Sequence, residues 1–176
     1  MEIYSKIKHV LKELSPKAET VRALSLSSFG EAFVLLDNCE RPLYNFITYA
    51  DDRCNGIDKL ISKRYRAEKI FAITGLILNQ SYSLCKLLWF KEHKPEIIEK
   101  AKSIYLANDY FNYLLTGERG VDSGTASKTL LLDIHANDWS DELLNEFEIP
   151  REWFSPVKEV GSFLGKIKSD LANELG

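Results

Sequence analysis

An apolar run that ends in an aspartate places the strongest constraint on how this chain folds. Residues 32–36 read AFVLL, and Asp37 and a polar turn follow them directly. A second apolar and aromatic run covers residues 46–49. Two such runs across a polar turn predict a β-hairpin over residues 32–49. The turn at residues 27–31 (SSFGE) would then leave a strand at one end of a sheet, which is where α/β proteins bind small polar ligands.

The length and charge of the chain exclude several classes of protein. At 176 residues it is long enough for a buried core, and we expect residues 1–176 to form a single domain. A net charge of −3 argues against a nucleic-acid partner and against recruitment to an anionic membrane surface. No apolar run reaches the length of a membrane span, and the charged, amphipathic start MEIYSKIKHVLKEL is unlike a signal peptide. These features favour a cytoplasmic protein.

The cysteines and histidines give no indication of a metal site. None of the cysteines forms a C-x-x-C pair, and each histidine lies alone among polar residues: Cys39, Cys54, Cys85, His9, His93 and His135. An odd number of isolated cysteines is typical of reduced thiols in the cytoplasm. We therefore expect no metal ion, and a surface position for each histidine.

The spacing of apolar residues predicts more helix than strand in the rest of the chain. Helices are predicted over residues 3–14, 57–65, 81–92, 110–115, 141–147 and 169–175, and another begins at Pro95. Strands are predicted over residues 21–26 and 104–107, in addition to the hairpin. Helix 81–92 is apolar on nearly all sides, which is typical of a buried helix. Asn108 or Asp109 is the predicted N-cap of the helix that follows, and Ser140 is the predicted N-cap of helix 141–147.

Five segments of the sequence, taken in order, resemble the N-terminal lobe of the FGGY carbohydrate kinases, which include glycerol kinase, xylulokinase and gluconokinase. They are residues 24–37, 41–53 with the ending YADDR, 74–89 with TG and KLLW, 109–118 with DY and LTGE, and 122–139. Each motif alone is weak, because Thr-Gly pairs and tryptophan-containing helices are common. The ordered series covers essentially the whole chain, and the order makes the resemblance specific.

The resemblance implies a partial ribonuclease-H-like α/β domain of the actin and hexokinase type, helix-rich with a small mixed sheet and the β-hairpin. For the intact enzyme it implies phosphoryl transfer from ATP, with Mg²⁺, to a sugar hydroxyl. The family's first phosphate-binding hairpin, catalytic aspartate and ATP-binding second lobe have no counterpart in this sequence. We therefore expect an internal piece of such a kinase, whose catalytic aspartate lies beyond Gly176. The piece itself is expected to be inactive and to hold no cofactor.

The resemblance also implies a sugar-binding site around Glu31. Glu31 takes the position of a substrate-binding glutamate in glycerol kinase, and a carboxylate there can accept hydrogen bonds from two neighbouring hydroxyls. Gly30 stands where glycerol kinase has an arginine, so we expect open space and a bulkier sugar or a sugar acid rather than glycerol. Phe29 either stacks on a sugar face or packs in the core.

Four further residues belong to the predicted site. Asp51 and Arg53 either shape the sugar cleft or form an ion pair that fixes the hairpin to the next helix. Gln80 and Ser81 lie where glycerol kinase offers a tyrosine to its substrate. Gln80 is a candidate ligand, whereas Ser81 is more simply a helix cap. Lys86, within the apolar helix, is expected to pair with a carboxylate.

Two other interpretations stay open at this point. A kinase lobe without its first hairpin would expose a sheet edge, and such an edge favours a homodimer, so the chain could be a non-catalytic self-associating module. Alternatively, the chain could be a helical interaction domain unrelated to kinases, which predicts no sheet at all.

Overall fold

The computed structural model describes residues 2–14 and 22–175, and helices account for most of the regular structure there. The helices are α1 (Glu2–Leu14), α2 (Ile57–Arg64), α3 (Ala67–Thr74), α4 (Ser83–His93), α5 (Pro95–Lys100), α6 (Ala107–Thr116), α7 (Ser123–Ser127), α8 (Asp141–Glu146) and α9 (Ser169–Leu175). Two 3₁₀ turns cover Asp52–Cys54 and Arg151–Trp153. Within the described residues, no helix is both long enough and apolar enough to cross a bilayer.

Three two-stranded pairings complete the α/β fold in the described residues. The strands are β1 (Phe33–Leu36), β2 (Ser103–Leu106), β3 (Val121–Asp122), β4 (Leu132–Asp133), β5 (Asp138–Trp139) and β6 (Val157–Lys158). β1 and β2 pair antiparallel, β3 and β6 parallel, and β4 and β5 antiparallel. Parallel and antiparallel pairings are therefore both present, in separate small sheets. The prediction of a helical domain without a sheet is wrong.

Strand β1 is the centre of the fold because both of its faces are buried. Phe33 and Leu35 belong to the larger hydrophobic cluster, together with apolar residues of α4, whereas Val34 and Leu36 belong to a second cluster with Tyr110 of α6. Successive side chains of a strand point to opposite faces, so a strand covered on both sides needs an unbroken apolar run. This explains why residues 33–36 are all apolar.

The predicted hairpin partner of β1 is wrong. The antiparallel partner is β2, in the register Phe33↔Leu106 to Leu36↔Ser103. Residues 46–49 form no strand. After the turn, a bridge joins Leu36 and Pro42, made by hydrogen bonds from the Asp37 N–H to the Arg41 carbonyl oxygen at 3.0 Å and from the Leu43 N–H to the Leu35 carbonyl oxygen at 2.8 Å.

Most of the other predicted elements are confirmed, with ends that differ by a few residues, whereas one predicted strand is wrong. The helices predicted from residues 3, 57, 81, 95, 110, 141 and 169 and the strand predicted over 104–107 are present. Ser140 caps α8 by accepting a hydrogen bond from the Leu143 N–H. Residues 22–26 have no regular structure, so the strand predicted over 21–26 is wrong there, and Val21 lies outside the described residues. Helix α3 was not predicted.

Candidate functional site

Hydrogen bonds from the N-terminus of α4 hold the segment that carries Glu31. The Ser83 hydroxyl donates to the carbonyl oxygen of Glu31 at 3.0 Å. The next N–H in α4, that of Leu84, donates to the carbonyl oxygen of Thr129 at 3.0 Å. Glu31 itself is partly exposed, directly before β1. The backbone of Glu31 is therefore fixed on the buried helix, while the residue as a whole is only partly buried.

Lys86, on α4, is a buried basic residue near this segment. The side chain is only 1% exposed, and its ammonium group donates to the carbonyl oxygen of Ser81. Burial lowers the pKa of Lys86, while nearby Cys54, Glu31, Cys85 and Asp51 oppose that shift. In the described part of the chain no carboxylate lies within ion-pair distance of Lys86, so the prediction of a carboxylate partner is wrong. The backbone carbonyl is what compensates its burial.

Asp51 and Arg53 form the predicted ion pair. The Arg53 Nε and NH2 atoms donate to the two carboxylate oxygens of Asp51 at 2.7 and 2.8 Å. The guanidinium carbon of Arg53 lies 4.8 Å from the centre of the Trp89 ring, on α4, and its NH1 donates to the Tyr44 hydroxyl at 3.3 Å. Hydrogen bonds from Arg53 lower the pKa of the Asp51 carboxyl. The pair thus fixes residues 51–53 against α4 rather than against the helix that follows them.

Two exposed aromatic rings lie next to the Glu31 segment. Phe29 and Tyr49 are each 56% exposed, and their ring centroids are 5.8 Å apart. The alternative of Phe29 as a core residue is therefore wrong, and its stacking on a sugar stays a prediction. Tyr49 is not among the predicted site residues, although its place in the YADDR motif, two residues before Asp51, indicates a position in the site.

The space next to Gly30 is filled by the side chain of Lys128. A Cβ atom on Gly30 would lie 2.6 Å from the Lys128 Cγ and 2.9 Å from its Cβ, which is closer than real contacts allow. The expectation of open space at this position is therefore wrong. Lys128 lies 98 positions along the chain from Gly30, so no local pattern could reveal this contact.

The loop before α4 differs in part from its prediction. α4 begins at Ser83 with Tyr82 at its N-cap, so Ser81 is not the helix cap. The Ser81 N–H instead donates to the Asn79 side-chain oxygen at 2.9 Å, and its carbonyl accepts the Lys86 bond. Gln80 is half-buried, and its role as a ligand stays a prediction.

The resulting arrangement is suited to holding a polar ligand with hydroxyl groups. It combines the partly exposed Glu31, the exposed Phe29 and Tyr49 rings and the lysine side chain beside Gly30. Carboxylates accept hydrogen bonds from hydroxyls, and aromatic faces pack on apolar surfaces. Among the described residues, no group of three or more His, Cys, Asp or Glu side chains could hold a metal ion.

Comparison with known proteins decides the family. The sequence matches the family model described as "FGGY family of carbohydrate kinases, N-terminal domain" over residues 1–176. The chain belongs to this family. A rhamnulokinase of Halalkalibacterium halodurans is 28% identical to this FGGY chain over 174 residues, which cover 99% of the chain and 37% of the rhamnulokinase. A xylulose kinase of Lactococcus lactis is 31% identical over 160 residues, which cover 91% of the chain and 32% of that enzyme.

Solved structures extend the likeness to the whole fold. A gluconate kinase and a ligand-bound xylulose kinase, both from Lactobacillus acidophilus, each match with a TM-score of 0.92 and 26% identity. Each match covers 99% of the FGGY chain and 36% of the solved chain. The predicted fold class, a partial actin/hexokinase-like ATPase domain, is confirmed. The FGGY chain spans about a third of the length of these relatives.

Proposed function

We propose that this FGGY chain is the sugar-binding part of an ATP-dependent carbohydrate kinase. The observation that carries the proposal is the placement of Glu31, whose backbone is fixed by Ser83 and which is partly exposed directly before β1. Phosphoryl transfer to a sugar requires that one hydroxyl be held in line with the phosphate, and a fixed carboxylate provides such an anchor. Phe29, Gly30, Asp51, Arg53, Gln80 and Ser81 complete the proposed sugar site.

The relatives support a sugar or polyol substrate without fixing which one. Their names specify rhamnulose, xylulose and glycerol as substrates of different family members. ATP and Mg²⁺ are the cofactors that we propose for the intact enzyme, with Mg²⁺ neutralising charge on the transferred phosphoryl group. A cytoplasmic location, with neither nucleic acid nor membrane as a partner, completes the proposal.

Replacing Glu31 with glutamine is expected to weaken sugar binding about tenfold, because a hydrogen bond to a carboxylate is stronger than one to a neutral amide. Saturation-transfer NMR and calorimetry with the 176-residue chain and a panel of glycerol, D-xylulose, L-rhamnulose, D-gluconate and D-glucitol measure this change. Glu99→Gln, at an exposed position of α5, is the matched control and should bind as the parent does. Absence of binding by the parent to every compound, or equal binding by Glu31→Gln, would contradict the proposal.

We also propose that the 176 residues alone do not transfer phosphate, because the relatives are almost three times as long. A coupled assay of ATP consumption, run with the sugars of the same panel, should give the rate of the buffer alone. Turnover with any sugar would overturn this part of the proposal without affecting the binding site.

Self-association is a second proposal. β1 and β2 form a two-stranded sheet, and every residue of the two strands except Ser103 is at most 3% exposed. Pairing of a strand edge with another chain would therefore require the segments that cover the outer edges of β1 and β2 to move aside. Sedimentation at low protein concentration distinguishes the alternatives, since a monomer at all concentrations is incompatible with this second function.

A further inference from the structure

Lys128 takes the place of the side chain that residue 30 lacks. Its Cβ and Cγ atoms lie where a side chain on Gly30 would begin, at 2.9 and 2.6 Å from an ideal Cβ. A larger residue at position 30 would therefore displace Lys128. The absence of a side chain at Gly30 thus makes room for Lys128. The side chain next to Glu31 therefore comes from the segment after α7 and not from residue 30.

The backbone around Lys128 is attached to the same residue as the Glu31 segment. The Ser83 N–H is 3.5 Å from the Lys128 carbonyl oxygen, while the Ser83 hydroxyl donates to the Glu31 carbonyl oxygen at 3.0 Å. One residue at the start of α4 thus connects the two segments. Lys128 therefore has a fixed place in the site rather than lying at the end of a free loop.

The charges around Glu31 leave Lys128 available for a ligand. Arg53 is committed to Asp51, and the buried Lys86 lies close enough to Glu31 to interact with it electrostatically. By contrast, none of the residues that the structure describes forms a hydrogen bond or an ion pair with the Lys128 ammonium group. Among the described residues, Lys128 is thus a basic side chain whose stem is held beside Gly30 and whose charge no other side chain compensates.

We propose that Lys128 is a specificity-determining residue, and that it makes the Glu31 site prefer a sugar derivative with a carboxylate over a neutral sugar. The inference rests on the proposed sugar-binding function and specifies that the preferred substrate is negatively charged. Glu31 binds hydroxyls of the ligand, while the Lys128 ammonium group binds the carboxylate through a charge-assisted hydrogen bond. The buried Lys86 partly offsets the repulsion that Glu31 would otherwise exert on an anionic ligand.

D-Gluconate and D-glucitol form a matched pair of probes, because they differ only in a carboxylate against a hydroxymethyl group. Calorimetry at low salt should show that the 176-residue chain binds gluconate about tenfold more tightly than glucitol. Lys128→Met keeps the unbranched stem that packs on Gly30 and removes the charge, so the two compounds should bind equally. Lys128→Arg keeps the charge and should retain the preference for gluconate.

The outcomes separate this inference from the function on which it rests. If the parent binds glucitol and gluconate equally, or if Lys128→Met keeps the preference, the role of Lys128 is wrong while sugar binding stands. If the parent binds none of the sugars in the panel, the proposed function fails and this inference fails with it. Loss of the preference in Lys128→Met alone, with glucitol binding unchanged, supports the inference.

Discussion

Replacing Asp109 with asparagine is expected to remove most of the dependence of stability on pH between pH 5 and pH 8. Asp109 is 2% exposed, and its Oδ2 accepts a hydrogen bond from the Ser155 hydroxyl at 2.8 Å. Burial raises the pKa of this carboxyl from 3.8 to about 7, against the opposing effects of Ser155 and the charge of Arg119. A buried carboxylate is costly when ionised, and asparagine does not ionise.

The sign of the effect follows from the two pKa values. Between pH 4 and pH 7 the folded chain keeps a proton on Asp109 that the unfolded chain has released, so lowering the pH favours the folded state. This contribution is fully present below the unfolded pKa and is lost as the pH rises through about 7. From pH 8 to pH 5 the parent should gain about 3 kcal/mol more in unfolding free energy than Asp109→Asn does.

Urea unfolding at pH 5, 6, 7 and 8 measures this difference. Asp52→Asn is the matched control, since Asp52 is exposed and should leave the profile of the parent unchanged. Parallel pH profiles for the parent and Asp109→Asn would show that Asp109 is ionised in the folded chain throughout this range. A second variant, Ser155→Ala, removes a hydrogen bond that lowers the pKa, and it should therefore move the loss of stability to higher pH.

Asp109 also illustrates where prediction from the sequence reaches its limit. An aspartate next to the start of a helix is a reasonable N-cap, and this was its predicted role. α6 in fact begins at Ala107 with Leu106 at its N-cap, so Asp109 lies in the first turn and faces Ser155, 46 positions along the chain. Burial by residues far away in the sequence, rather than local spacing, determines its role.

Strand β1 shows the same limit for the fold. Its apolar run and its end at Asp37 could be predicted, because both are local features of residues 32–37. Its partner could not, since β2 is about 70 residues further on and an apolar run nearby offered a simpler hairpin. The ordered family motifs placed the chain in its fold class where periodicity alone left alternatives open.

The candidate site was predictable to the extent that it depends on motifs. Glu31 and the Asp51–Arg53 pair were identified from their places in those motifs, and the structure shows the pair in contact. The contact of Lys128 with Gly30 and the bond from Lys86 to the Ser81 carbonyl were not predictable. Both depend on how separate elements pack around the start of α4.

Among the residues that pack around α4, Phe90 is the one whose substitution we expect to cost the most stability. Its side chain is 2% exposed, and its ring lies 6.0 Å from that of Phe33, 5.3 Å from that of Tyr44 and 5.4 Å from that of Trp89. Phe33 begins β1, and Tyr44 and Trp89 both contact Arg53. A single ring therefore supports the strand after Glu31 and the residues that hold the ion pair.

Phe90→Ala is accordingly expected to lower the unfolding free energy by about 3–5 kcal/mol, through lost burial and the cavity that remains. Phe90→Leu refills much of that volume and should cost about 1–2 kcal/mol. Phe163→Ala removes the same atoms from a side chain that is 79% exposed, and should change stability by less than about 0.5 kcal/mol. Urea unfolding of the three variants at pH 7 measures the series. Equal losses for Phe90→Ala and Phe163→Ala would mean that the Phe90 ring does not lie in the core, and the support that it gives to β1 and Arg53 would then have to come from other residues.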